Sequence, residues 1–132
     1  MASKYKVVII EDEKEIQELI ETTLMEGLNF PLEILMFDSG EAALANGFES
    51  KCHLVVADFK LPGINGLQLI NEIRKSELNK SVPVIFISGF FADLAFTPRS
   101  EKLDNVIILD KPFDVNKLAR KVRIQLLSNA IK

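Results

Sequence analysis

Five short, largely apolar runs recur along this chain, separated by stretches in which apolar and polar residues mix. Most of these runs lack the polar alternation of a half-exposed strand, which favours strands buried on both faces of a parallel sheet. We therefore predict five strands. The runs are Val7–Ile10, Glu33–Phe37, His53–Ala57, Val84–Ile87 and Val106–Leu109.

Several intervening stretches carry apolar residues three and four positions apart, the spacing of a helix with one buried face. Residues at their ends support this interpretation. Gly27 stops the first helix, Asp38 or Ser39 caps a short second one, and Asp114 caps the last. The third helix fades at Asn79-Lys80. The apolar faces are Ile16, Leu19, Ile20 and Leu24, then Leu67, Ile70 and Ile73, and finally Val115, Leu118, Ala119, Val122 and Leu126, which we expect to face the core.

Strands that alternate with helices predict an α/β fold, a doubly wound parallel sheet of five strands with helices on both faces. The chain has 132 residues, of which 48% are hydrophobic, so one domain spanning residues 1–132 is expected. The segment 89–105 fits a helix poorly because Thr97-Pro98 interrupts it, and we predict irregular structure there.

Composition argues against several classes of function. The formal net charge of −3 disfavours a nucleic-acid partner, which would need a concentrated positive surface. The first apolar run is too short for a signal-peptide core or a membrane span, so we expect a soluble, cytoplasmic protein. Cys52 is the only cysteine and His53 the only histidine, so neither has a partner at metal-ligand spacing, and an inert thiol beside a strand-edge residue is expected.

Polar side chains follow four of the predicted strands. Glu11-Asp12, Asp58, Ser88 and Lys111 each come where a strand ends, and the carboxyl ends of parallel strands meet at one edge. Adjacent carboxylates repel one another unless a cation intervenes, and Mg²⁺ prefers oxygen ligands. We therefore predict a Mg²⁺ site made by Asp12 and Asp58, by Glu11 through water, and by the backbone carbonyl of Lys60.

The same residues permit phosphoryl transfer. Asp58 would attack a phosphodonor and form an acyl phosphate, while Lys111 neutralises charge on the transferred group and Ser88 donates a hydrogen bond to one of its oxygens. Alone, each residue has an ordinary explanation, such as a helix cap, a turn or a surface charge. Their occurrence together at successive strand ends favours one site.

Together these motifs resemble the receiver domains of two-component response regulators. The resemblance covers nearly the whole chain and rests on Glu11-Asp12, Asp58 with Pro62-Gly63 and Gly66, Ser88, and Lys111-Pro112-Phe113. It implies the flavodoxin-like strand order 2-1-3-4-5, Mg²⁺ as cofactor, and a histidine kinase or phosphotransfer protein as phosphodonor. By the same resemblance Asp58 is the phosphoacceptor, Ser88 and Lys111 assist it, and the Lys111–Pro112 bond is cis. Such a protein is no turnover enzyme, but it catalyses its own phosphorylation and dephosphorylation and signals to a protein partner.

The chain departs from this family at one switch position. Receivers usually carry Tyr or Phe three residues before Lys-Pro, where this chain has Ile108, so an atypical switch is expected from Ser88 and Ile108. Lys60 and Phe90 lie where the family tunes water attack on the acyl phosphate. Ile124, Leu127 and Ile131 form a second apolar stripe on the last helix. With Phe90, Phe91 or Phe96 of the fourth-helix region, that stripe predicts a homodimer surface, although ordinary exposed apolar residues explain it as well.

Three alternatives remain open. A phosphorylation-independent scaffold with the same fold is favoured by Ile108 and by the interrupted fourth helix. A phosphatase with an aspartate nucleophile usually has a second acid two residues later, where this chain has Lys60. A flavin-binding protein would need a hydroxyl-rich phosphate loop after the first strand, and Glu11-Asp12-Glu13 would repel that phosphate.

Overall fold

The computed structural model of the protein describes residues 4–89 and 105–131, with side chains through 128. In these ranges five strands and four helices follow one another along the chain. The strands are β1 (Tyr5–Ile10), β2 (Leu32–Phe37), β3 (Leu54–Asp58), β4 (Val84–Ser88) and β5 (Val106–Asp110). The helices are α1 (Lys14–Gly27), α2 (Gly40–Asn46), α3 (Gly66–Arg74) and α4 (Val115–Ile131).

All five strands are parallel and pair in the order β2-β1-β3-β4-β5, which confirms the predicted topology. The order reverses between β1 and β3, because β2 lies on one side of β1 and the later strands continue on the other. In such sheets the crevice beyond the carboxyl ends at the reversal is the usual ligand site. The residues that follow Ile10 and those at Asp58 flank this crevice.

Alternate strand residues supply two hydrophobic cores, one on each face of the sheet. Val8, Ile10 and Phe86 point to the core that also contains α2 and α3. Val7 and Ile9 belong to the opposite core, which α1 and α4 complete. All of these strand side chains are fully buried, so the apolar runs lack polar alternation because both faces are covered.

In helix α4 the apolar pattern predicts more burial than the structure shows. Leu118, Ala119, Val122 and Leu126 are buried as predicted, but Val115 is 38% exposed. Val115 is the first residue of the helix and lies at the carboxyl edge of the sheet, where helical spacing alone does not place a strand beneath it. Its predicted place in the core is therefore wrong.

The predicted caps of the second and last helices are present. The Ser39 hydroxyl accepts the Ala42 N–H at 3.1 Å, and Asp114 Oδ1 accepts the Asn116 N–H at 2.8 Å. Helix α3 ends at Arg74, before the predicted Asn79-Lys80, and Asn79 instead forms a buried turn. The segment expected to be irregular, including Phe90, Phe91 and Phe96, lies outside the described residues. Within the described ranges no helix combines the length and apolar character needed to cross a bilayer.

Candidate functional site

Four strand ends meet at the carboxyl edge of the sheet. Glu11 and Asp12 follow β1, Asp58 ends β3, Ser88 ends β4, and Lys111 follows β5. The parallel register aligns Asp58 with Ile87 and Ser88 with Asp110, so these ends lie level with one another. The edge therefore collects the acids, the hydroxyl and the lysine that the sequence predicts there.

Glu11, Asp12 and Asp58 form an acidic cluster. One carboxylate oxygen from each lies within 4.8 Å of the others. Glu11 is fully buried and Asp58 is 6% exposed, whereas Asp12 faces solvent. The cluster is therefore buried on the side of Glu11 and Asp58 and open to solvent on the side of Asp12.

The Glu11 carboxyl group is the member whose charge is least compensated. Its Oε2 accepts the Glu13 N–H at 3.0 Å, while its Oε1 is buried and has no hydrogen-bond partner among the described residues. Burial raises the pKa of Glu11 to about 7, and although the Glu13 hydrogen bond opposes this shift, the charge of Asp58 adds to it. A buried oxygen without a donor among the described residues, next to two other carboxylates, is compatible with a cation site. The residues present therefore fit Mg²⁺, held by Asp12, Asp58 and Glu11.

Lys111 is directly paired with Asp58. Its Nζ lies 2.7 Å from Asp58 Oδ2, and the Lys60 N–H donates to Asp58 Oδ1 at 3.0 Å. Burial lowers the pKa of Lys111, but the hydrogen bond and charge of Asp58, with Glu11 and Glu13, outweigh burial and raise it above its ordinary value. Lys111 is therefore a firmly charged ammonium group in direct contact with the Asp58 carboxylate.

The backbone at Lys111 is hydrogen-bonded to the end of β4. The Lys111–Pro112 peptide bond is cis, as the resemblance implied, and the Lys111 N–H donates to the Ser88 carbonyl at 2.8 Å. Ser88 itself is only 4% exposed. Ile108 lies inside β5 and is half-buried, opposite Phe86 in the register, so it does not belong to the edge that carries the charged groups.

A cleft of about 710 Å³ opens over this edge. Asp12, Asp58, Lys60 and Lys111 line its polar side. Its other side is apolar, and the lining residues there are Ile16, Leu19, Pro112 and Phe113.

The apolar wall was not predicted from the sequence. Leu19 fits the helical spacing of a core residue, but it is 42% exposed and faces the cleft, while Ile20 and Leu24 occupy the core. Glu13 was likewise missed as a member, although it lines the cleft and its N–H orients Glu11. The uninterrupted acids of Glu11-Asp12-Glu13 were a signal for Glu13, whereas helical spacing cannot tell which apolar residues face a cleft.

Comparison with known proteins gives a consistent result. Residues 7–123 match the family model of the response regulator receiver domain. The response regulator ArlR of Staphylococcus saprophyticus is 32% identical over 129 residues, which cover 92% of this chain and 52% of ArlR. The probable chemotaxis protein CheY of Rhizobium etli is 28% identical and is covered over 98% of its length. The chain thus spans about half the length of relatives such as ArlR.

Among solved structures, the response regulator protein TrrA of Thermotoga maritima in complex with Mg²⁺-BeF superposes with a TM-score of 0.76. The two are 29% identical, and the superposition covers 92% of this chain and 99% of TrrA. The chemotaxis response regulator CheY4 of Vibrio cholerae also has a TM-score of 0.76, at 19% identity, and supports the fold alone.

Proposed function

This chain belongs to the response regulator receiver domain family, and we propose that Asp58 accepts a phosphoryl group in a Mg²⁺-dependent reaction that changes the affinity of the domain for a protein partner. The donor is a histidine kinase or a phosphotransfer protein. Residues 1–132 act as one receiver domain in this proposal. A cytoplasmic location stays a prediction.

The observation that carries the proposal is the 2.7 Å contact between Lys111 Nζ and Asp58 Oδ2, beside carboxylates that can hold a divalent cation. A fold has no structural need for three facing carboxylates and a lysine at one strand edge, because removing these charges from water costs free energy. Grouped perturbed ionisable residues are more typical of functional sites. Here the group surrounds a carboxylate at the floor of an open cleft.

Asp58, Lys111 and Ser88 each have a distinct role in the proposed reaction. A carboxylate oxygen of Asp58 forms the bond to phosphorus as the bond between phosphorus and the donor nitrogen breaks, and that nitrogen leaves with the electron pair and takes up a proton. Lys111 compensates the charge on the transferred group, and the Ser88 hydroxyl donates to one of its oxygens. Bound Mg²⁺ would supply additional positive charge for the equatorial phosphoryl oxygens.

Glu11, Asp12 and the Lys60 carbonyl complete the proposed cation site. Glu11 is held by the Glu13 N–H and Lys60 by its own N–H bond to Asp58, so two of these three are already oriented before a cation arrives. In a second step water attacks the acyl phosphate, which releases inorganic phosphate and regenerates the Asp58 carboxylate. The domain thus catalyses its own phosphorylation and dephosphorylation.

The switch that reports phosphorylation is proposed to be atypical. Ile108 is an aliphatic, half-buried residue within β5, where a rotating aromatic ring would normally couple to Ser88. A β-branched side chain has few rotamers and cannot carry that movement. The signal from Ser88 would then reach the surface through another group.

Ile108 also favours a second candidate, a receiver-like scaffold that binds its partner regardless of phosphorylation. The two candidates differ in one respect that can be measured: only the first one needs Asp58 to become phosphorylated.

The test is intact mass after incubation with Mg²⁺ and phosphoramidate. We expect one phosphoryl adduct on the wild type that disappears with EDTA and in Asp58→Asn. Asp38→Asn is the matched control, because Asp38 is an exposed aspartate that follows β2 at the same edge. It should retain the adduct. If the wild type binds Mg²⁺ but gains no adduct from several donors, the scaffold is supported instead.

A further inference from the structure

The amino-terminal edge of the sheet, opposite Asp58, contains a second cavity of about 350 Å³. Residues at the starts of β1 and β3 form one side, among them Tyr5 and His53. The segment between α3 and β4 forms the other side, with Leu78 and Val82. Its volume lies within the range of small-molecule sites, which are about 300–1,000 Å³. None of these residues belongs to the phosphorylation site.

The walls of this cavity are fixed by hydrogen bonds. The His53 N–H donates to the Lys6 carbonyl at 2.8 Å, and the Lys6 N–H donates to His53 Nδ1 at 2.9 Å. The buried Asn79 side chain accepts the Cys52 N–H at 2.7 Å and donates to the carbonyl of Ser50. A ligand would therefore meet a largely pre-formed site, which lowers the ordering cost of binding.

Two lysines line the cavity, although the chain as a whole is negative. They are Lys51 and Lys80, while the nearby Lys6 side chain is buried with its Nζ 2.9 Å from the Ser50 hydroxyl and does not line the cavity. Burial lowers the pKa of His53, and the charges of Lys51 and Lys6 lower it further. Glu77 is the one acid among the described lining residues, and its 3.3 Å pair with Lys80 compensates part of that lysine's charge, so the lysines outnumber the acid by one.

Part of the remaining lining is apolar, and Ser81 and Asn105 add polar groups to it. Leu78 is 55% exposed, and Val82 and Pro83 lie beside it in the lining. The Tyr5 ring packs edge-on against His53, with 5.3 Å between the ring centroids. A ligand that suits both parts of the lining has an anionic head and an apolar body.

We infer that this cavity is a second binding site, for a small organic carboxylate whose charge lies near Lys51 and Lys80 and whose apolar body lies against Leu78 and Val82. The site is independent of the proposed phosphorylation of Asp58. Ligand binding there would act on the domain from the edge of the sheet opposite the phosphorylation site.

The experiment is a titration of ¹⁵N-labelled protein with benzoate, followed by amide NMR spectra, with benzamide as the neutral probe of similar shape. We expect saturable shifts at residues 51–53 and 77–83, and much weaker binding of benzamide. In Lys51→Gln/Lys80→Gln the affinity should fall about tenfold, the loss expected from one charge-assisted contact. Glu77→Gln should raise the affinity.

Lys75→Gln is the matched control, because Lys75 is an exposed lysine paired with Glu72 at the same i,i+3 spacing as Lys80 with Glu77. It should leave binding unchanged. Three results would overturn the inference: no saturable shifts, equal binding of benzamide, or shifts confined to the Asp58 edge. All the substituted side chains are exposed, so the spectra of the variants should retain the dispersion of the folded wild type.

Discussion

The two edges of the sheet carry opposite charge. At the carboxyl edge, Glu11, Asp12 and Asp58 form one cluster, Lys111 pairs with Asp58, and burial raises the pKa of Glu11 to about 7. At the amino edge, burial lowers the pKa of His53, and the charges of Lys51 and Lys6 lower it further. The carboxyl edge is therefore suited to a cation with a phosphoryl group, and the amino edge to an organic anion.

The direction of the chain explains part of this difference. In a parallel α/β fold every helix begins at the carboxyl edge and ends at the amino edge, so helix dipoles favour acids at the first edge and bases at the second. Each edge, however, holds charged side chains that are buried, which a dipole does not explain: Glu11 and Asp58 at one and Lys6 at the other. Buried charges of this kind indicate sites rather than ordinary solvated surfaces.

The largest expected effect comes from removing the positive charge of Lys111 at the carboxyl edge. Lys111→Met leaves the Asp58 carboxylate without its 2.7 Å partner, so phosphorylation by phosphoramidate should slow by roughly 10²-fold, the typical loss of one preorganised electrostatic contact. The rate is measured from intact mass over time. Lys117→Met, an exposed lysine on α4, should keep the wild-type rate. An unchanged rate in Lys111→Met would remove Lys111 from the proposed chemistry.

The next effect concerns the stability of the metal-free protein. Since the folded pKa of Glu11 is about 7 and its ordinary value is 4.5, the folded state binds this proton more tightly, so Glu11 makes stability fall as pH rises from about 4.5 to about 7. In EDTA, Glu11→Gln should be more stable than the wild type at pH 8, by an amount on the order of a few kcal/mol, and nearly equal at pH 4.5. Urea unfolding at both pH values measures the difference.

Magnesium should reverse the order of these two proteins. It should raise the melting temperature of the wild type at pH 8 and do so much less in Glu11→Gln, which lacks one carboxylate. Glu15→Gln, an exposed acid in the first turn of α1, should behave as the wild type in both media. A parallel response of Glu11→Gln and Glu15→Gln would contradict a special role for the buried acid.

At the amino edge, we expect His53 to cause a smaller pH dependence of stability with the opposite sign. The folded pKa of His53 lies below 6.5, so the unfolded chain takes up a proton first, and His53 makes stability fall as pH drops through 6.5. Protonation would also remove the acceptor of the Lys6 N–H. His53→Gln carries no titrating group and should lose less stability between pH 7.5 and 5.5, measured by urea unfolding. Equal losses would show that His53 is not the linked group.

Substitutions in the exposed apolar stripe of α4 are expected to have the smallest effect on the sites at the two edges of the sheet. Ile124 is 58% and Leu127 44% exposed, and the side chain of Ile131 lies outside the described ones. If the stripe is a dimer interface, Leu127→Glu should abolish a concentration-dependent dimer in light scattering, while Ser128→Glu, its exposed neighbour, should not. Both variants should phosphorylate normally and bind benzoate normally. No dimer in the wild type would leave the stripe as ordinary surface.

The carboxyl edge was largely predictable because its members are marked by position in the sequence. Glu11, Asp58 and Lys111 each directly follow or end an apolar run, so the topology of a parallel sheet brings them together. The amino edge was not predictable in the same way. Cys52 and His53 belong to no motif in the sequence, and their neighbours in the cavity come from the distant segments at Tyr5 and Leu78. The expectation of an inert thiol agrees with burial, which raises the pKa of Cys52 to about 11.

Local periodicity and position next to a strand were enough to predict the element order, the two-faced burial of the strands and the charged residues at their carboxyl ends. They did not reveal that Leu19 lines a cleft, that Val115 is exposed or that Glu11 is buried with an oxygen that has no donor among the described residues. These properties depend on which surfaces cover a side chain. That is set by packing between segments distant in the chain, which no local pattern records.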